Sequence, residues 1–412
     1  MKKFTLMMVG LAGAFLLNGA PPVTPVGTTG TAGDPNRVTV IGEVDESKLV
    51  PIAIRGFAGE VAAVLRFDLE VQGFKIVPEA NAKYLLTGKN GGSVEGALQD
   101  ANQAFVFNKS FNGGTPRMQA HTLSDAVVGA VQGISGIART KILFTMNTGR
   151  RSWEVFTADY DGHNPVALTK DKVLCGAPSW GRGNRKVFYT SYLTFNGIIN
   201  PTILRHNLDD GSRRIVARYR GLNTGAVVGP SGRIAMVLSK GGSPDIYVAP
   251  AGYDFESDLG GKMLFRVTAT AEGESSPAWS PDGQWLCFAT RTGGRRRLVK
   301  TRSNGGAMFR LKTSGVINPS DPTWSPDGKQ IAFTSHMGGF NICVVPAQGG
   351  EAIPLARGED PCWAGNNRTL IFTLRTGKGV NKRRLALLDV PTKQVKLLPV
   401  FAGAASQAAW AR

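Results

Sequence analysis

The 412-residue chain predicts a multidomain protein: a small α/β N-terminal domain followed by a six-bladed β-propeller that its C-terminal strand closes. Three observations carry the propeller. The run Pro277-Ala278-Trp279-Ser280-Pro281-Asp282-Gly283 returns 45 residues later as Pro322-Thr323-Trp324-Ser325-Pro326-Asp327-Gly328. A period in the forties with several strands per unit is the mark of a propeller. Positions equivalent to the Trp recur at Trp180, Val228, Trp279, Trp324, Trp363 and Trp410, at intervals of 48, 51, 45, 39 and 47 residues. Finally, the repeat region is incomplete at both ends. Residues 407–411 form an inner strand with nothing after it, and the unit beginning at Lys141 has no inner strand before it. Joined, they make one blade and leave the ring without an edge.

The elements follow in order. Met1, Lys2 and Lys3 precede an apolar run over residues 4–17 and the small-residue exit Asn18-Gly19-Ala20, which predicts a secretory signal over residues 1–20. The run is shorter than the ~20 residues that span a bilayer. No Cys follows the expected cleavage point to carry a lipid. A mature protein outside the cytoplasm, with no membrane span, is therefore expected. Residues 21–36 are rich in Pro, Gly and Thr and read as a flexible tail, a spacer by composition or else a segment that folds onto a partner.

Residues 37–137 make the α/β domain. Strands are expected at 38–41, 52–54, 74–77, 84–87 and 104–107. A first helix over 57–71 has Val61, Val64, Leu65 and Leu69 on one face, and a second runs over 122–134 with Thr122 or Ser124 as cap. With no phosphate loop or dinucleotide fingerprint, this domain reads as a docking or scaffold module. Residues 138–412 make the propeller. In each repeat Pro sets the φ before the turn, Gly takes its positive-φ corner and Asp bonds the turn backbone, so calcium is not needed there. The Trp residues are expected to fill the space between blades.

The formal charge is +18, and it is unevenly placed. Residues 21–137 have nine basic and eleven acidic groups, whereas residues 138–412 have thirty-seven and nineteen. A basic propeller suits an anionic partner surface. Nucleic acid is disfavoured by the signal sequence and by the lack of aromatic residues among the basic runs. No Gly-x-Ser-x-Gly elbow occurs, and His121, His163, His206 and His336 lack close metal-ligand spacing, so no catalytic residue, cofactor or metal is expected. A propeller lyase or hydrolase of anionic glycans, with His residues meeting at the channel, stands as the competing reading. Cys175, Cys287, Cys343 and Cys362 lie in different blades. Buried thiols are the default, and Cys343 with Cys362 is the pair best placed for a disulfide.

The repeats resemble those of the TolB family, periplasmic propeller proteins of the Tol-Pal envelope system. The order of parts resembles it too: signal sequence, α/β domain with Val50-Pro51-Ile52-Ala53-Ile54 before a helix containing Arg66-Phe67-Asp68-Leu69, then six blades closed by the final strand. The resemblance implies binding of a Pal-like peptidoglycan-associated lipoprotein at the channel mouth, and contact with a TolA-like protein through the N-terminal tail. The chain departs from the family at Gly229-Pro230-Ser231-Gly232 and Trp363-Ala364-Gly365-Asn366, and Leu222 stands where the family carries a His.

Topology places the expected binding surface. The loop leading into strand A and the hairpin joining strands B and C emerge at the same end of a blade. Around the channel mouth this end would offer Ser275, Ser276, Ser320, Asp321, Glu359, Asp360 and Gln407. Farther out it would offer Arg150, Arg151, Lys240, Arg295, Arg296, Arg297, Lys382, Arg383 and Arg384. Any single hairpin cation is more often a solvated side chain, and it is their concentration at one end that suggests a docking surface.

Overall fold

A computed structural model describes residues 41–377 and 382–411 and the backbone of 28–29 and 38–39. The expected signal sequence, and all of the expected tail except residues 28–29, lie outside the described residues.

The α/β domain is a five-stranded sheet with two helices. Its elements in chain order are β1 (Val50–Arg55), α1 (Gly59–Val71), β2 (Phe74–Ile76), β3 (Tyr84–Asn90), β4 (Val94–Asp100), β5 (Phe105–Phe111) and α2 (Pro116–Gln132). The sheet order is β2-β1-β3-β4-β5, with β1 parallel to both neighbours and the rest antiparallel. Val61, Val64, Leu65 and Leu69 are buried with Ile52, Leu86, Leu98, Leu123 and Val127. Three expectations need correction. The strand expected at 38–41 is not part of this sheet; Val38–Thr39 pairs instead with Thr28–Thr29. The second helix begins earlier than 122, because the Thr115 side chain accepts the Met118 amide and Pro116 takes the first helical position. A strand at β4 was not expected; Gly96 interrupts its apolar pattern because a Cβ there would press on Leu123.

The propeller has six four-stranded antiparallel sheets. Blade one is closed as the repeat pattern predicts: Ala405–Trp410 is its strand A and pairs with Lys141–Gly149, Ala405 opposite Met146 and Trp410 opposite Ile142. In the other blades strand A is Cys175–Trp180, Asn223–Val228, Ser275–Trp279, Pro319–Trp324 and Glu359–Trp363. Strands B and C are buried on both faces between neighbouring blades, so they read as apolar runs; all five residues of Ile234–Leu238 are buried.

The repeated motif is consumed by architecture. In blade four the Ser280 hydroxyl accepts the Trp285 amide and Asp282 accepts the Gln284 amide, while Gly283 stands at φ 69°. Ser325, Asp327 and Gly328, at φ 72°, repeat this in blade five. The Trp279 indole lies between blades and donates to the Val227 carbonyl of blade three at 3.0 Å. Trp180 likewise reaches Ala409 of blade one at 3.2 Å.

The α/β domain sits against blades one and six at the end opposite the mouth. Val71 and Phe67 of α1 pack with Tyr160, Ala364 and Trp410, and Lys396 bonds Glu70 at 2.5 Å. A buried polar network pins this interface. Asp68 accepts the Tyr160 hydroxyl at 2.5 Å and contacts His121 Nδ1 at 2.8 Å. Arg117 pairs with Asp161 of blade one and with Glu60 of α1.

Candidate functional site

Every strand A carries the same irregularity. Its pairing with strand B shifts register in the middle, at Gly176/Ser179, Thr224/Val227, Ser275/Ala278, Ser320/Thr323, Glu359/Cys362 and Ser406/Ala409. Each shift holds one residue in the left-handed region. These are Ala177 (φ 48°), Gly225 (64°), Ser276 (54°), Asp321 (51°), Asp360 (56°) and Gln407 (54°). Glycine adopts this conformation freely, but five of the six positions are not glycine. An L side chain there costs roughly 1–3 kcal/mol and persists only where the surroundings enforce it. Bulges of this kind re-aim a side chain and are treated as built features.

Hydrogen bonds around these six positions join neighbouring blades into a girdle. Ser276 donates to Asp321 at 2.8 Å. The Asp360 amide donates to Thr334, and the Gln407 amide to Thr373, each at 3.0 Å. Gln407 Oε1 accepts the Ala177 amide at 2.9 Å, and Thr190 donates to Thr224 at 3.0 Å. Of the expected mouth residues, Ser276, Asp321, Asp360 and Gln407 therefore stand together on one ring.

The other three sit differently. Ser275 pairs opposite Ala289, and buried Ser320 donates to Asp321. Glu359 is buried, held by Arg375 at 2.6 Å and by Arg383 at 3.2 Å. It offers the mouth no free carboxylate, and Arg383 belongs to this pair rather than to the solvent-facing hairpin set.

Asp360 is partly buried. Burial first, then the charges of Asp321 and Glu359, push its pKa well above the usual carboxylate range, and Arg383 opposes them. Of the other acidic groups at this end three are internal, whereas Glu272, in the loop before strand A of blade four, is exposed. Glu154 accepts the Lys172 amide, Asp245 is paired to Arg266, and Glu274 is held by Thr268, Thr270 and Thr290. Burial raises the Glu274 pKa.

The hairpin cations are mostly outside. Arg150, Arg151, Arg295 and Arg296 are exposed, and Arg297 is half-buried and bonds the Arg296 carbonyl. Among the described residues, Arg150, Arg151, Arg295 and Arg296 form no ion pair. Lys382 is exposed, Lys240 lies over the Tyr219 ring at 5.5 Å, and Arg384 donates to the Leu398 carbonyl. This end thus shows solvent mainly cations and keeps most of its carboxylates inside. Just past the girdle, Pro178, Pro277, Pro322 and Pro361 help line a 510 Å³ funnel that opens toward the opposite end.

Blade two carries a feature that the charge pattern does not reveal. Its strands Lys186–Phe195 and Ile198–Asn207 run past their neighbours to a tip with Ile198 70% and Ile199 66% exposed. The Asn196-Gly197 dipeptide, with both residues at positive φ, was the available signal.

The histidines do not meet. His121 is at the domain interface, His163 in a turn of blade one, His206 on an outer strand of blade two, and His336 stacks on Phe340 at a hairpin of blade five. Among the described residues no group of three or more His, Cys, Asp or Glu is placed to hold a metal ion. The four cysteines are separate thiols, Cys343 and Cys362 included, and burial pushes Cys343 up to about 12. No described helix is long and apolar enough to cross a membrane.

Comparison with known proteins places these features in context. The family profile described as PD40, the TolB beta propeller domain, matches residues 128–412. "Tol-Pal system protein TolB" of Anaeromyxobacter dehalogenans is 27% identical over 287 residues, covering 60% of this chain and 63% of that protein. The protein of that name from Actinobacillus pleuropneumoniae serotype 5b is 36% identical over 107 residues, covering 26% of this chain and 24% of that protein. The chain thus aligns to less than two thirds of either relative's length. The crystal structure of TolB from Acinetobacter baumannii superposes with a TM-score of 0.76 at 21% identity, over 90% of this chain and 98% of that one, which is a likeness of fold.

Proposed function

The chain belongs to the TolB β-propeller family, and from that premise we propose that it is a non-enzymatic periplasmic scaffold of a Tol-Pal system. It binds a Pal-like peptidoglycan-associated lipoprotein at the mouth of its channel, and so links envelope components in outer-membrane integrity and cell division. A TolA-like protein is the candidate partner of residues 21–36.

The observation that carries this reading is the mouth itself. The strand-A bulges bring Ser276, Asp321, Asp360 and Gln407 onto one girdle, where Ser276 bonds Asp321 and Gln407 accepts the Ala177 amide across blades. The exposed Arg150, Arg151, Arg295 and Arg296 surround it and favour a partner with an acidic rim.

A pull-down with the Pal-like lipoprotein of the same organism tests the proposal. Retention of the lipoprotein is expected, weakened in an Asp321→Lys variant. No retention by folded protein overturns it.

A further inference from the structure

We infer that the blade-two hairpin is an apolar anchor that inserts into a groove of the partner protein bound at the mouth; this rests on the lipoprotein-binding reading above. On the strand-A side of blade two, backbone pairing ends at the Tyr192 amide, which donates to the Leu174 carbonyl, and Ala217, the last residue of strand D (Arg213–Ala217), pairs with Ile203. Residues 193–195 and 198–202 are therefore a two-stranded ribbon with no third strand on either side, extending roughly 13 Å at ~3.3 Å per residue. Such ribbons are marginal in water, and exposed edges are ordinarily guarded by charge.

This one has Pro201 but no charge to guard it. From Val187 to Leu204 the chain carries no charged residue, 18 in a row in a protein of net charge +18. The neighbouring hairpin of blade one ends in Arg150-Arg151, and that of blade four starts strand C with three arginines. Phe195 pairs across the ribbon with Ile198, and Thr194 with Ile199, so both faces of the tip are apolar. Arg218 lies over the Phe195 ring at 4.1 Å and marks where the cationic surface resumes.

A neutral arm beside unpaired arginines fits an acidic protein surface that contains an apolar groove. A lipid bilayer fits less well. The apex itself is the polar Asn196-Gly197, and two isoleucines bury less than a myristoyl chain, which alone gives only marginal membrane binding.

The test measures the affinity of the mature protein for the soluble part of the Pal-like lipoprotein by calorimetry, and separately its binding to vesicles containing anionic lipid. Burying one branched side chain is worth roughly tenfold in affinity. The Ile198→Ser/Ile199→Ser double variant is expected to bind the lipoprotein at least tenfold more weakly. Its melting temperature should be unchanged, and Ile198→Val/Ile199→Val should restore most of the affinity. If the wild type binds and the double variant binds equally well, the anchor is overturned and the scaffold reading stands. If the double variant loses vesicle binding instead, the arm serves a lipid surface and the inference is overturned in that direction. If the wild type does not bind the lipoprotein at all, both readings fall together.

Discussion

At the scale of single residues, the girdle separates strain from function. Ala177 has no side-chain chemistry to offer, yet its φ of 48° is the same departure that Ser276, Asp321, Asp360 and Gln407 make. The strain therefore belongs to the bulge rather than to the chemistry of any one side chain. Ala177→Gly should raise stability by about 0.5–1 kcal/mol, the relief of a left-handed L residue less the extra entropy of glycine in the unfolded chain. Urea unfolding checks it, and a loss of stability would mean that the position is not strained. His121 provides a second test. Burial alone would lower its pKa, but the Asp68 hydrogen bond and the charges of Asp68 and Asp161 outweigh burial and the opposing Arg117, and hold it above the ordinary value. A group raised in the folded state contributes stability that is fully present below its unfolded pKa of ~6.5 and lost as pH rises through the folded value. The stability difference between wild type and His121→Gln should therefore be largest near pH 6 and shrink toward pH 8. A difference that stays flat across this window would remove His121 from the interface. The sequence made Asp321 and Asp360 visible because carboxylates before an inner strand suggest a mouth. The His121 network was hidden, since residues 68, 121 and 161 converge only when two domains dock.

At the scale of elements, much was legible because repeats multiply a weak signal. The Trp-Ser-Pro-Asp-Gly unit states its turn twice, and Ser280 and Ser325 use their hydroxyls identically. Closure could also be read, because an inner strand left over at one end matches a unit lacking one at the other. Where nothing repeats, reading was poorer. The start of α2 turns on one Thr115 side chain, and β4 is obscured by a glycine that Leu123 requires. The blade-two ribbon is hidden in the sequence because basic runs mark the other hairpins and this one carries no charge. Closure has a measurable consequence. Deleting residues 405–412 removes strand A of blade one, exposes the Lys141–Gly149 edge and takes Trp410 away from Tyr160 and Ile142. The truncated chain should fail to form a soluble monomer, as judged by size-exclusion chromatography and circular dichroism. A monomeric product with native strand content would mean that the ring does not depend on its last strand.

At the scale of the whole molecule, the two ends of the propeller differ in what covers them. One end is covered in part by the α/β domain, fastened through Asp68, Tyr160, Arg117 and Asp161. The other presents exposed arginines, while Glu154, Asp245, Glu274 and Glu359 lie buried beneath it. Buried carboxylates paired within the fold steer little, whereas unpaired surface cations act at a distance until salt screens them. The screening length is about 10 Å at 0.1 M and about 3 Å at 1 M ionic strength. Association with an acidic partner should therefore slow by roughly tenfold or more from low to high salt. Dissociation, set by the girdle and the apolar contacts, should change much less. Replacing Arg150, Arg151, Arg295 and Arg296 with Glu should slow association at low salt and abolish most of its salt dependence, with a smaller effect on dissociation. Stopped-flow or surface-based kinetics across a salt series would read both rates. An association rate indifferent to salt and to these four substitutions would reduce the arginines to solvated loops and leave recognition to the girdle alone.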